Sequence, residues 1–215
     1  FTGALTRAGE AGVYHNVRHC DVRSLYPSIL LAENLAPRKD ELKLFPQILR
    51  EMRQKRLEAK DKAKQAVPAE KEHWNALQSA LKIVINSFYG YLGFAQGSFN
   101  DFDLAAKVTA RGREILASLT AFLAESGAEI IEMDTDGVYF TPPAGARPDE
   151  LEQKIQKMLP DGIEIELDAV YEAMYSYKAK NYALLTADGE ISLTGAALKS
   201  RGMEKFFRKT LKEII

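Results

Sequence analysis

The sequence predicts an α+β fold, a sheet carrying packed helices and interrupted by a long helical hairpin. Residues 17–22, 128–133 and 138–141 are short apolar or alternating runs of strand length. Residues 41–66 and 72–94 are long stretches of helical periodicity, separated by only a few residues around Pro68. Strand-like runs lie on both sides of that helical pair, so the hairpin is inserted within the sheet's own sequence.

The elements follow in order. Gly3, Gly9 and Gly12 mark the opening stretch to about Asp21 as loop and short strand. After Pro27 a short helix runs to about Asn34, where Pro37 breaks it. The helix over residues 41–66 is highly charged and ends near Pro68. In the next, over residues 72–94, Leu77, Leu81, Val84, Ile85 and Phe88 form an apolar stripe at helical spacing. A third long helix is expected over residues 101–126, capped by Asp101 or Asp103. The strands 128–133 and 138–141 are joined through Asp134 to Gly137. A loop with Pro142, Pro143, Gly145 and Pro148 leads into a helix ending near Leu159. Residues 163–168 alternate like a strand, and residues 181–186 and 190–194 read as a hairpin turning at Asp188-Gly189. A last helix begins near Gly202, and neither an internal repeat nor a low-complexity segment interrupts the order.

Composition narrows the class. Apolar content of 46% and charged content of 27% are those of an ordinary globular protein. The single cysteine, Cys20, excludes an internal disulfide. No apolar run approaches the ~20 residues that span a bilayer, and no export signal opens the chain, so no membrane partner is expected and a cytoplasmic location is inferred. The abrupt start at Phe1 and the stop inside a helical pattern at Ile215 read as a piece of something longer. The formal net charge of −1 conceals blocks. Residues 43–64 carry eight Lys/Arg against three Asp/Glu; residues 125–172 carry three against thirteen; residues 178–215 carry eight against four. Two basic blocks therefore flank an acidic one, a pattern suited to polyanions and cations together, although solvated helix faces also look like this.

Four constellations carry chemistry. Asp21 heads Asp21-Val22-Arg23-Ser24-Leu25-Tyr26-Pro27-Ser28, and Asp134-Thr135-Asp136-Gly137 follows more than a hundred residues later; each stands at a strand end. Converging carboxylates there would repel unless a divalent cation neutralised them, whereas Asp134 to Gly137 taken alone also suits a simple β-turn. It is not a calcium-binding EF-hand loop, because Gly137 falls at the fourth position and Gly145 stands where the closing Glu belongs. Lys82, Asn86 and Tyr89, with Gln78, share one helix face that could hold a phosphate and a sugar, or could simply be the wet side of an amphipathic helix. Arg50, Arg53, Arg56, Lys60 and Lys64 form a cationic stripe on the preceding helix, fit for phosphate or for solvent. Backbone N–H groups at Ser24 and Leu25 could cradle phosphate oxygens with the Tyr26 ring beneath a sugar; alternatively Tyr26 is a core residue before Pro27.

Together and in this order the segments closely resemble the family B (polymerase alpha-like) DNA polymerases. Asp21 to Ser28 is similar to the family's first polymerase motif, Lys82 to Gly93 to its second, and Asp134-Thr135-Asp136-Gly137 to its third, with Gly where many members have Ser. Phe1-Thr2-Gly3-Ala4 resembles a diverged Tyr-x-Gly-Gly element, Lys178-Ala179-Lys180-Asn181-Tyr182-Ala183 the later Lys-Lys-x-Tyr element with one Lys replaced, and Lys199 to Glu204 the approach to the thumb. The resemblance implies a polymerase palm, an antiparallel sheet with packed helices, over residues 1–40 and 96–200, a fingers hairpin over 41–95, and the start of a thumb over 201–215. It implies that Asp21, Asp136 and the Val22 backbone carbonyl ligate two Mg²⁺ ions (Mn²⁺ able to substitute), with Asp134 as a supporting carboxylate. Lys82, Asn86, Tyr89, Ser24, Leu25 and the pair Arg53 and Arg56, with Lys60 as a further candidate, would bind the incoming dNTP. The register among these cations stays open: Arg53-Gln54-Lys55 puts Leu57 where a second cation is expected, while Arg56 and Lys60 have the family's spacing. Tyr26 would exclude a ribose 2′-hydroxyl. Lys178, Lys180, Tyr182, Lys199, Arg201 and Gly3 would contact primer–template DNA. The implied activity is template-directed transfer of a deoxynucleotide to a primer 3′-hydroxyl, in replication or repair at the nucleoid, with exonuclease and thumb domains in a full-length protein.

Two rival readings exist. Residues 130–137 also resemble the strand-then-Asp-x-Asp-Gly signature of haloacid-dehalogenase-type phosphohydrolases, with Asp134 as nucleophile. Val138 replaces the usual Thr there, and Asp21 to Ser28 is left unexplained. The other rival is an inactive polymerase-like module that only binds nucleic acid, against which stands the presence of Asp21, Asp136 and Lys82.

Overall fold

The computed structural model describes residues 3–195 together with 204, 206 and 210. Lys199, Arg201, the residues Phe1 and Thr2, and the expected final helix (apart from those three isolated positions) lie outside the described residues. The chain divides into two compact units, one mainly helical (residues 24–112 and 161–163) and one built on a sheet (residues 4–23, 113–160 and 164–195).

In the helical unit, α1 (Leu25–Ala32) leads to α2 (Leu44–Gln65) and α3 (Pro68–Leu92), which pack as the expected hairpin. Helix α2 starts three residues later than the charge pattern suggests. Buried Asp40 explains this: its carboxylate oxygens accept the N–H groups of Leu44 and Phe45 at 2.9 and 2.7 Å, satisfying donors that the helix leaves open. Helix α3 starts four residues early, because Pro68 occupies its first turn, where a missing N–H costs nothing. The expected apolar stripe of α3 is largely uncovered: Val84 and Leu77 are exposed, and within the helix only Ile85 and Leu92 are fully buried. Phe45 of α2 meets Phe88 at 4.8 Å between ring centroids, and beside them lies an apolar recess of ≈ 260 Å³ reaching Val84 and Phe99. At the far end of the hairpin the Lys62 ammonium lies 4.5 Å over the Trp74 ring. Helix α4 (Phe102–Glu125) begins in this unit, and its cap is Asp101, which accepts the Leu104 N–H at 3.0 Å.

Among its described residues the sheet unit holds seven strands: β1 (Thr6–Ala8), β2 (Gly12–Val22), β3 (Glu129–Asp134), β4 (Gly137–Thr141), β5 (Ile165–Lys178), β6 (Asn181–Leu185) and β7 (Ile191–Thr194). Their order is β1-β3-β4-β2-β5-β6-β7, and every pairing is antiparallel. Helix α5 (Pro148–Met158) packs on β5. Strands β2 and β5 run longer than expected, since they pair along most of their length and each supplies the other's backbone partners. The sheet is strongly curled. Tyr139 on β4 and Tyr182 on β6 are three strand spacings apart, about 14 Å if the sheet were flat, yet their rings stand 5.1 Å apart. The concave face they share is lined by Val17, Ile131, Met174 and Leu184, all buried.

Candidate active site

The two aspartate clusters meet at adjacent strand ends within the sheet unit. Strands β3 and β4 are joined by the two residues Thr135 and Asp136, so that Asp134 pairs with Gly137. On its other side Gly137 pairs with Asp21 of β2. Residues directly opposite in neighbouring strands share a sheet face, so Asp21, Gly137 and Asp134 form one row across β2, β4 and β3. The two aspartate Cα atoms are about 10 Å apart across that row, and the residue between them has no side chain. The Val22 N–H donates to the Asp136 carbonyl at 2.8 Å, tying the end of β2 to the turn itself. Thr135 takes a left-handed φ of 41°, and the Asp136 N–H donates back to the Asp134 carbonyl, which keeps the bend tight.

Gly137 is dictated by packing. A Cβ there would stand 2.5 Å from His19 Nε2 and 3.2 Å from the Cys20 carbonyl oxygen. His19, two residues before Asp21 and hence on the same face, stacks on Tyr139 at 4.2 Å.

The charges around the turn are crowded. Burial of its carboxylate, then the neighbouring Asp134 charge, push Asp136 above the ordinary aspartate range; His19 and Lys180 oppose this only in part. Lys180, in the β5–β6 turn, places its ammonium 2.7 Å from Asp134 Oδ1 and 3.0 Å from Thr135 Oγ1. Behind them Glu132, two residues before Asp134, is fully buried, and burial raises its carboxyl too, against the backbone N–H of Lys180 that it accepts. Among the described residues no three His, Cys, Asp or Glu side chains stand together as a ready metal cage. The donor set is nevertheless of the hard-oxygen type that suits Mg²⁺, an ion usually held by one or two carboxylates with substrate phosphates completing its shell. The like-charge crowding at Asp134 and Asp136 fits a cation there.

The helical unit holds the candidates expected to contact a nucleotide. Ser24 is at the αL start of α1 with φ 47°, and Leu25 is buried. The Tyr26 ring is half-buried and lies 4.3 Å from the Tyr89 ring. A Cβ at Gly112 would meet Tyr26 Cε1 at 3.0 Å, so α4 approaches closely there for want of a side chain. Arg53, Arg56 and Lys60 are half-buried, whereas Leu57 is exposed and Arg50 and Lys64 face solvent. Lys82 and Asn86 are exposed on α3, about two turns and one turn before Tyr89. Of the nucleic-acid candidates, Gly3 and Lys178 are exposed, Lys180 touches the aspartate turn, and Tyr182 is buried, its hydroxyl 3.4 Å from that of Tyr139.

Sequence reasoning passed over His19, Thr135 and Glu132. The signal was available for two of them: in a strand, residues two before Asp21 and Asp134 must share those residues' face.

The model of DNA polymerase family B matches residues 38–215. The chain is 29% identical over 244 residues to DNA polymerase 1 of Pyrococcus abyssi, a match spanning all of this chain and 32% of that protein. It is 30% identical to a DNA polymerase of Pyrococcus glycovorans, again over all of this chain and 32% of the relative. Among solved structures, the family B DNA polymerase of Pyrobaculum calidifontis superposes with a TM-score of 0.72 at 25% identity, covering 100% of this chain and 33% of that one. The chain thus spans about a third of the length of these relatives.

Proposed function

We propose, from the premise that this chain belongs to DNA polymerase family B, that it catalyses template-directed transfer of a deoxynucleotide from a dNTP to a primer 3′-hydroxyl. The observation that carries the reading is the row Asp21–Gly137–Asp134, clamped to Asp136 by the Val22 N–H. It supports a site in which Asp21 and Asp136 hold two Mg²⁺ ions, with the Val22 carbonyl as a backbone ligand and Asp134 as supporting charge. Bound magnesium would supply acidity to the attacking hydroxyl and charge stabilisation to the leaving pyrophosphate.

The remaining steps belong to the chain's own groups. Lys82 and the half-buried Arg53, Arg56 and Lys60 neutralise triphosphate charge, and Arg can grip two phosphate oxygens at once. Asn86, Tyr89 and the N–H groups of Ser24 and Leu25 orient the nucleotide. Tyr26, held against Tyr89, stands where a 2′-hydroxyl is refused. Lys178, Lys180 and Gly3, with Lys199 and Arg201, hold primer–template backbone without reading bases, since the template supplies sequence by pairing. In these terms the sheet unit is the palm, the α2–α3 hairpin the fingers, and residues 201–215 lead to a thumb; exonuclease and thumb domains complete the full-length enzyme. The work is done at DNA, and no helix among the described residues is long and apolar enough to cross a membrane.

The haloacid-dehalogenase-type alternative is set aside, because the family match runs through its supposed signature. The test is single-nucleotide extension of a primed template. Wild type incorporates the templated dNTP with Mg²⁺; Asp136→Ala, folded by circular dichroism, does not. A folded variant with near-normal extension removes the metal role, and a wild-type chain that binds primed DNA without extending it favours the binding-module reading.

A further inference from the structure

Glu132 is a charged group that the proposed chemistry does not use. It is fully buried in β3, on the concave face with Tyr139, its partner across β4. One carboxylate oxygen accepts the backbone N–H of Lys180, and the other, Oε2, is buried with no hydrogen-bond partner among the described residues. An acid left half-satisfied in a core is costly, so what it holds matters. Lys180 itself has φ 59°, a left-handed backbone that residues with a Cβ seldom adopt unless their surroundings impose it. Its amide is anchored on Glu132 while its ammonium reaches Asp134 and Thr135. The two anchor points are two residues apart on one strand face, so the β3 backbone sets where the ammonium lands.

We propose that Glu132 is a positioning residue: by capturing the Lys180 amide it holds that residue's left-handed turn and so aims the ammonium at Asp134, fixing the charge balance of the aspartate turn. That this matters for nucleotide transfer rests on the polymerase reading above; the positioning itself does not.

The experiment reads both separately. Glu132→Met keeps the volume and removes the acceptor, and Glu132→Gln keeps an acceptor oxygen for the Lys180 amide. In lysine acetylation footprinting, Glu132→Met raises Lys180 reactivity several-fold, and Glu132→Gln leaves it at the wild-type level. In primer extension, Glu132→Met and Lys180→Ala each lower kcat by about 10–100-fold, the range seen when a group orienting a catalytic one is lost. The double variant is no worse than Lys180→Ala, and Glu132→Gln restores kcat. Unchanged Lys180 reactivity in Glu132→Met overturns the proposal, as does a double variant whose losses multiply, since Glu132 would then be merely structural. If the wild-type chain extends nothing, the polymerase reading fails by itself and footprinting still decides the positioning.

Discussion

Replacing Gly137 with alanine probes the close approach of β2 to the aspartate turn. The added Cβ would lie 2.5 Å from His19 Nε2, roughly 0.9 Å inside ordinary contact, and 3.2 Å from the Cys20 carbonyl oxygen. The backbone contact needs a shift of only a few tenths of an ångström. The imidazole must swing away, giving up its stack on Tyr139 at 4.2 Å. Aromatic stacking is worth about 0.5–1.5 kcal/mol and modest overpacking about 1 kcal/mol, so the expected cost is about 1.5–2.5 kcal/mol. For a chain of this size that lowers Tm by about 3–10 °C. Thermal unfolding followed by circular dichroism measures it, with His19→Ala as the second arm of a cycle. In the His19→Ala background the same Gly137→Ala change should cost less than half as much. Equal costs in both backgrounds would show that the imidazole is not what Gly137 accommodates, and the packing argument would be wrong.

Further outcomes follow from the same geometry. Asp101 would be raised by its burial, but the N–H groups of Leu104 and Arg38 and the Arg38 guanidinium outweigh this and hold it below the usual range. Its contribution is therefore present above the unfolded aspartate pKa and lost as pH falls through the lower folded value; Asp101→Ala should cost about 1–2 kcal/mol at pH 7 and progressively less in chemical denaturation as pH falls below the ordinary aspartate range. Asp136 has the opposite sign: its folded carboxyl is raised, so its charge penalises the metal-free fold above that value. Asp136→Asn should raise the metal-free Tm at neutral pH, with the gain vanishing once pH drops below the unfolded aspartate pKa; a gain that persists in acid would rule out the charge explanation. Tyr26→Ala should raise ribonucleotide incorporation in a competition assay, and unchanged discrimination would leave Tyr26 as a packing partner of Tyr89.

Much of the fold could be read before the structure, because its cues are local. The α2–α3 hairpin, the Asp101 cap and the hairpin closing at Asp188-Gly189 follow from periodicity, cap chemistry and turn residues. The start of α2 could not be read, since the Asp40 carboxylate overrides the charge pattern by reaching forward to Leu44 and Phe45. The apolar stripe on α3 was legible as spacing, but its exposure was not, because spacing marks a face and not whether anything covers it. At the site, the strand-end aspartates were legible as motifs. Their register through Gly137 was not, because pairing across more than a hundred residues is set by the curled sheet and leaves no local trace. Lys180 was picked out as a contact for nucleic acid, yet its grip on Asp134 depends on the same curl.

The central claim is that Asp21 and the turn at Asp134 to Asp136 act as one cation-binding face. Titration of Mn²⁺ into the metal-free chain, followed by electron paramagnetic resonance, tests it without depending on turnover. Bound Mn²⁺ should fall sharply in Asp21→Ala and in Asp136→Ala alike, with both variants folded. Wild-type binding retained in Asp21→Ala would mean that the two strand ends, though hydrogen-bonded neighbours, do not share an ion.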